Sequence, residues 1–260
     1  MNPLDDVGNT LLGFALSVPR IAAAFMVLPL LNGQNMPGLV RNSFFVSLAA
    51  IVYPVAAGAA PMQGMGLAAW PLIVIKELFI GLMFGFLFSS MFWAVSAAGN
   101  LIDTKVGTNF AAVADPIQGH QTSLTGQLLT QLAAWLFMAG GAFSLFVELL
   151  MNSYSLWPVA QMLPRLAPLG QNLVIDEFAS IMSTALMLAA PALIVMSLID
   201  LSLGLINRYA QQLNVFSMTM PIKAWAATWI VLLSLGTFIA VITQRLLDNR
   251  GLLQELRRAL

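Results

Sequence analysis

The chain has 260 residues, of which 59% are hydrophobic and 8% charged, and eleven Lys+Arg balance eleven Asp+Glu. Soluble domains run nearer 45–50% apolar and about 25% charged, so the chain carries too few charges for the surface of a soluble enzyme of this length. It also lacks the basic stripe of a nucleic-acid binder and the low hydrophobicity of a disordered chain. Zero cysteines exclude disulfides, thiolate zinc sites and iron–sulfur clusters, and what remains is an all-α, polytopic membrane protein.

The N-terminus, MNPLDDVGNT, is acidic where a signal peptide needs a positive start, so the first apolar run is expected to be kept as structure. Charge-free runs cover 21–40, 42–75, 78–102, 116–147, 178–199 and 224–244. A membrane-crossing helix needs about 20 mostly apolar residues. The runs therefore predict six apolar helical segments, near 10–31, 42–60, 67–98, 124–151, 178–206 and 224–244. They do not alternate apolar and polar residues, as barrel strands would.

Three polar stretches separate these segments, at 99–123, 152–177 and 207–223. In the second, Tyr154 and Trp157 suit a membrane interface, or simply a helix end. Pro19, Pro29, Pro54, Pro71 and Pro191 fall in apolar runs, where each removes a backbone donor and is expected to kink a helix. Gly81 and Gly85 form a GxxxG pattern that permits close helix packing.

Arg245, Arg250, Arg257 and Arg258 place the tail 245–260 in the cytoplasm by the positive-inside rule, and Asp5 and Asp6 place the N-terminus on the far side. Opposite sides require an odd number of crossings, which six segments do not give. A re-entrant, split or non-crossing segment is implied.

Arg20, Lys76, Glu77, Glu148 and Asp200 interrupt apolar sequence, and Asp103 follows closely. A charge at the bilayer centre costs about 2.5–3.5 kcal/mol on insertion scales, so each predicts a partner, water or a place outside lipid. Lys76 and Glu77 are adjacent, about 100° apart on a helix, and are expected to seek partners elsewhere. These charges read either as an ion pathway or as structural pairs. The first makes the chain a secondary transporter using Arg20, Lys76, Glu77, Asp103 and Asp200.

Asp103 and Asp200 sit in similar strings, LIDTKVG at 101–107 and LIDLSLG at 198–204. That similarity reads as a coincidence, as a faint internal repeat of a transporter, or as a third reading, an intramembrane aspartyl hydrolase. His120 is the single histidine, and no zinc, phosphate-loop or dinucleotide motif occurs. No catalytic residue, metal ligand or cofactor is predicted.

Long ordered blocks then carry a resemblance. KELFIGLMFGF at 76–86, FWAVSAAGNLIDTKVGTNFAAVADPIQGHQTSLTGQLL at 92–129, GGAFSLFVELLMNSYSLWP at 140–158 and LIDLSLGLINRYAQQLNVFSMTMPIK at 198–223 resemble the FliR/SctT family of type III secretion export-gate proteins. The strings SYSLWP, HQTSLTG and LINRYAQQLNVF resemble its injectisome branch. The resemblance implies one helical export-gate domain over 1–260, built of kinked hairpins in a hetero-oligomer and without enzymatic activity.

Its implied partners are SctR-like and SctS-like subunits, an SctU-like switch protein touching the tail, membrane lipid, and unfolded secreted proteins in transit through the bacterial inner membrane. It also implies that the loop 106–123 plugs the closed pore. Gly107 and Gly119 allow unusual backbone angles there, Asp115-Pro116 disfavours helix, and Phe110, Ala111, Ala112 and Val113 supply an apolar tip.

Overall fold

The computed structural model describes residues 3–31, 37–57, 70–107, 123–159, 169–209 and 215–248. Within them every regular element is helical. In chain order these are α1 (Pro3–Val27), a short 3-10 turn (Pro29–Leu31), α2 (Gly38–Ala57), α3 (Trp70–Val106), α4 (Leu124–Ala139), α5 (Ala142–Leu156), α6 (Leu169–Tyr209), α7 (Val215–Leu233) and α8 (Leu235–Asp248). The protein is an all-α polytopic membrane protein. α3 and residues Ile175–Tyr209 of α6 are each long and apolar enough to cross a bilayer. The pairs α4–α5 and α7–α8 reach that length only when each is taken as one interrupted span.

Among the described residues the six apolar segments become eight α-helices, because two of the segments are broken. The segment at 124–151 is interrupted after Ala139, where Gly141 adopts φ +80, a left-handed angle that suits glycine. The segment at 224–244 bends by 54° between α7 and α8. Polar stretches are also shorter than their composition suggests. α3 runs on through Asn100–Lys105, α6 begins at Leu169, and α7 begins at Val215.

Pro19, Pro54 and Pro191 lie inside helices, as does Pro221. Pro29 and Pro71 do not break a helix. Pro29 opens the 3-10 turn and Pro71 stands in the first turn of α3, where its missing N–H has no intrahelical partner to lose.

The chain forms two compact units. The first gathers α1, α2, α3 up to Ser90, and α5; the second gathers α3 from Met91, α4, α6 from Ile175, α7, and α8 up to Arg245. In the first, α5 buries Leu145, Phe146, Leu149, Leu150, Ser153 and Tyr154, a stripe at i, i+4 and i+8 that defines one helix face. Phe25 of α1 centres an aromatic cluster with Phe44, Phe45, Phe143 and Phe146, at centroid distances of 5.3, 5.8, 6.4 and 5.0 Å. Phe88 joins through Phe146 at 5.0 Å. Rings buried in this way contribute about 1.5–3 kcal/mol each over leaving them exposed.

In the second unit, α6 buries one stripe, Ile181, Thr184, Ala185, Leu188, Ala189, Ala192 and Met196. Its other faces present Phe178, Met182, Leu186, Met187, Ile194, Leu198 and Leu201 outward. Phe92 of α3 and Phe137 of α4 stack edge to face at 5.6 Å.

Candidate functional site

Three polar constructions stand out among the described residues, one in the first unit and two in the second. In the first unit, Arg20 of α1 and Glu77 of α3 are fully buried, with no exposed side-chain surface. Arg20 Nε donates to Glu77 Oε2 at 2.7 Å and Nη2 donates to Oε1 at 2.9 Å, a bidentate pair. Nη1 donates to Ser153 Oγ at 3.0 Å, and Nη2 also donates to the Trp157 carbonyl at 2.8 Å. The guanidinium lies 4.0 Å from the centroid of the Tyr154 ring, a cation–π contact. Tyr154 in turn donates its hydroxyl to the Ser17 carbonyl at 2.6 Å, two residues before Pro19.

Lys76 completes the cluster. Its ammonium sits 2.9 Å from Glu77 Oε1 and donates to the carbonyls of Pro158 and Val159, both at 3.0 Å. Adjacent residues therefore do pair here. The long lysine side chain reaches the carboxylate that Arg20 already holds, which the 100° angular separation alone does not foresee. The two cations also satisfy carbonyls where the chain leaves α5, the end of a helix that favours positive charge. Arg20, Lys76 and Glu77 thus fasten α1, α3 and the exit of α5 to one another.

The same helices meet through small residues. A Cβ on Gly81 would fall on the Arg20 carbonyl oxygen and 2.9 Å from Ala23 Cβ; one on Gly85 would lie 2.5 Å from the Ala24 carbonyl oxygen. The GxxxG face of α3 is therefore the face that packs on α1, and it brings Glu77 within reach of Arg20.

The second construction lies at the C-terminal end of α3. Asp103, 7% exposed, accepts from Ser123 Oγ at 2.6 Å, the Thr125 backbone N–H at 2.9 Å and Thr125 Oγ1 at 2.5 Å. Ser123 Oγ also accepts from the Gly126 N–H at 2.8 Å, and the Ser123 carbonyl accepts from the Gln127 N–H at 2.9 Å. Ser123 is thus the N-cap of α4. Behind Asp103, Gly99 and Gly126 bring the backbones of α3 and α4 so close that a Cβ on Gly99 would overlap Gly126.

Two residues on, Lys105 pairs with Asp200 of α6 at 3.0 Å, and Asp200 Oδ1 also pairs with Lys223 of α7. Lys223 donates to the Lys105 carbonyl at 3.4 Å. This triad is part-exposed, with Asp200 33% accessible.

The sequence-predicted charges therefore fall into separate groups. Arg20, Lys76 and Glu77 share one cluster; Asp103 serves the start of α4; and Asp200 serves Lys105 and Lys223. Asp200 is half-buried rather than buried, because the surrounding helix face is open. Glu148 is exposed on α5. Asp103 and Asp200 spend their oxygens on different partners, which is not the arrangement of two carboxylates sharing a proton.

Of the loop residues, Gly107 has φ +101 and returns its N–H to the carbonyls of Asp103 and Thr104, closing α3. Phe110, Ala111, Ala112, Val113, Asp115, Pro116 and Gly119 lie outside the described residues, as do His120 and the tail 249–260. Sequence reasoning missed Ser153, Ser123, Thr125, Lys105, Lys223 and the Gly99–Gly126 approach, and it named Tyr154 only as an interface or helix-end ring, whereas it is buried against Arg20. The serine before the run LTGQLL was a legible N-cap signal; the partners supplied by distant helices had no local signal.

The model of bacterial export proteins, family 1, matches residues 11–248. The chain is similar to Yop proteins translocation protein T of Yersinia pestis, 38% identical over 230 residues, covering 88% of each chain. It is 34% identical over 228 residues to the surface presentation of antigens protein SpaR of Salmonella typhimurium, covering 87% of this chain and 82% of that one. To the flagellar biosynthetic protein FliR of Bacillus subtilis it is 29% identical over 232 residues, covering 89% and 88%. A family match over nearly the whole helical region, with relatives in both secretion and flagellar biosynthesis, places the chain in family 1 of the bacterial export proteins, the FliR/SctT family of type III export-gate proteins, as a component of a protein export apparatus.

Proposed function

We propose that the chain is a non-enzymatic subunit of an injectisome-type export gate in the bacterial inner membrane. It helps to form and close the channel through which unfolded proteins leave the cell. The observation that carries this reading is the open apolar face of α6. Only 22% of its most apolar window is buried within the chain, against 56% for α3. A helix so apolar and so little covered needs lipid or other apolar helices around it. In a gate, SctR-like and SctS-like subunits supply those helices, and an SctU-like protein meets the cytoplasmic tail at 245–260.

The charges support the non-enzymatic part of the reading. Arg20, Lys76 and Glu77 are consumed in mutual pairing, and Asp103 in helix capping. They hold helices together rather than waiting in a cleft for substrate.

Closure is assigned to the loop 106–123. In sequence, Phe110, Ala111, Ala112 and Val113 give this stretch a short apolar run that suits a seal against water. Deleting 107–119 is expected to leave the complex assembled while making the closed gate conduct small ions. An ion-tight deletion complex in a membrane conductance assay would overturn the plug.

A further inference from the structure

We propose that the Lys105–Asp200–Lys223 triad is a docking point for one acidic side chain on an apolar helix of another gate subunit. The proposal rests on the gate reading and deepens it, because it names the chemistry that the covering helix must carry. Two ammonium groups share one carboxylate here. The triad therefore keeps one positive charge in excess. Asp103, two residues before Lys105, is held by Ser123 and Thr125 instead.

The surplus falls on Lys105. Lys223, 12% exposed, holds Asp200 Oδ1 and donates to the Lys105 carbonyl in the last turn of α3. Lys105, 35% exposed, meets Asp200 Oδ2 at 3.0 Å. An ammonium has three donors. This one has a single acid partner among the described residues, and its side chain stays open to a further acceptor.

The surroundings say what brings that acceptor. On α6, Ile194, Leu198, Leu201 and Leu205 are exposed, and on α7, Met218, Ile222, Trp225 and Trp229 are exposed. Both sets are alternately four and three residues apart, the spacing of a seam onto which another helix packs. The charges lie within the seam. Asp200 is about 13 Å from the end of α6 at Tyr209, and Lys223 is about 12 Å from the start of α7 at Val215, at a rise of about 1.5 Å per residue. Apolar side chains continue on both sides of them along each helix. A lipid headgroup held at the helix ends does not reach this depth, whereas a carboxylate on a packed helix does. An unmatched cation in such surroundings is costly. An acid facing Lys105 neutralises it and fixes the register of the incoming helix.

The test co-expresses the chain with its SctR-like and SctS-like subunits and measures the heteromeric complex recovered, by native mass spectrometry. Lys105→Met keeps an unbranched side chain and leaves Asp200 matched one to one by Lys223, so the triad by itself predicts no loss. The docking point predicts a loss of complex of roughly ten-fold, the scale of removing a hydrogen bond to a charged group. Lys105→Arg should hold the parent level. Lys105→Glu should fall furthest, and changing the facing acid to lysine should restore it. That acid is found by replacing each Asp and Glu in the apolar helices of the two partners with Lys, one at a time.

A parent complex beside undiminished Lys105→Met and Lys105→Glu complexes overturns the docking point and leaves the gate reading standing. No heteromeric complex from the parent overturns the gate reading and the docking point with it. If Lys105→Glu is lost and no partner substitution restores it, the loss lies within the subunit and the docking point falls. An anionic phospholipid that co-purifies with the parent complex and leaves with Lys105→Met, with no restoring acid, overturns it in favour of a headgroup.

Discussion

The two units hold their ion pairs in opposite ways. In the first, Arg20 and Glu77 are fully enclosed and make a bidentate pair with further partners around them. In the second, Lys105, Asp200 and Lys223 form their triad at a part-exposed position, on a helix whose apolar faces are largely uncovered. The physics differs accordingly. An enclosed pair has no water to fall back on if one member is lost, whereas a part-exposed one is screened and replaceable. The first unit contains its own partners. The second is the one whose surface, on the proposed reading, other gate subunits complete.

The sharpest way to break this contrast is Glu77→Ala. It strands Arg20 and Lys76 among buried helices and is expected to destabilise the subunit by about 3–5 kcal/mol, seen as loss of extractable protein and a lower unfolding temperature. The triple variant Arg20→Met, Lys76→Met, Glu77→Leu should recover much of that loss, because the cluster's three charges are then removed together. A triple variant as damaged as the single would show that the cluster is not self-contained.

Next in size is Gly85→Val. A Cβ already meets the Ala24 carbonyl oxygen at 2.5 Å, so α1 and α3 must separate. Overpacking of this kind costs about 1–3 kcal/mol, measurable by thermal unfolding of the extracted subunit, and a neutral result would remove the close contact from the account. The smallest effect belongs to the second unit. Asp200→Asn should cost less than about 1 kcal/mol, and raised salt should narrow the difference from the parent. A loss as large as that of Glu77→Ala would erase the contrast between the units.

The helices were legible because long charge-free runs leave little else to form in a membrane. Their breaks were less so. Gly140-Gly141 is visible as a breaker, but Ser234 between α7 and α8 is an ordinary residue in apolar sequence. The end of α3 was read too early, since Asn100, Asp103, Thr104 and Lys105 look like loop residues until Asp103 and Lys105 find partners on α4 and α6.

The site was readable in part. Charges in apolar sequence flagged Arg20, Lys76, Glu77, Asp103 and Asp200, because burial makes each of them costly. Which of them meet is a tertiary property. Arg20 and Glu77 are 57 positions apart, and only the packing of Gly81 and Gly85 on α1 brings them together. Ser153 and the carbonyls of Trp157, Pro158 and Val159 carry no charge to announce them, yet they complete the cluster.

The central claim is that this chain is one part of a larger gate and that its uncovered helices are finished by unlike subunits. Native mass spectrometry of the detergent-extracted chain, expressed with and without SctR-like and SctS-like proteins, tests it most directly. The account predicts a single copy of the chain in a large heteromeric complex and little stable protein when it is expressed alone. A stable monomer or homodimer that ignores those subunits would contradict it.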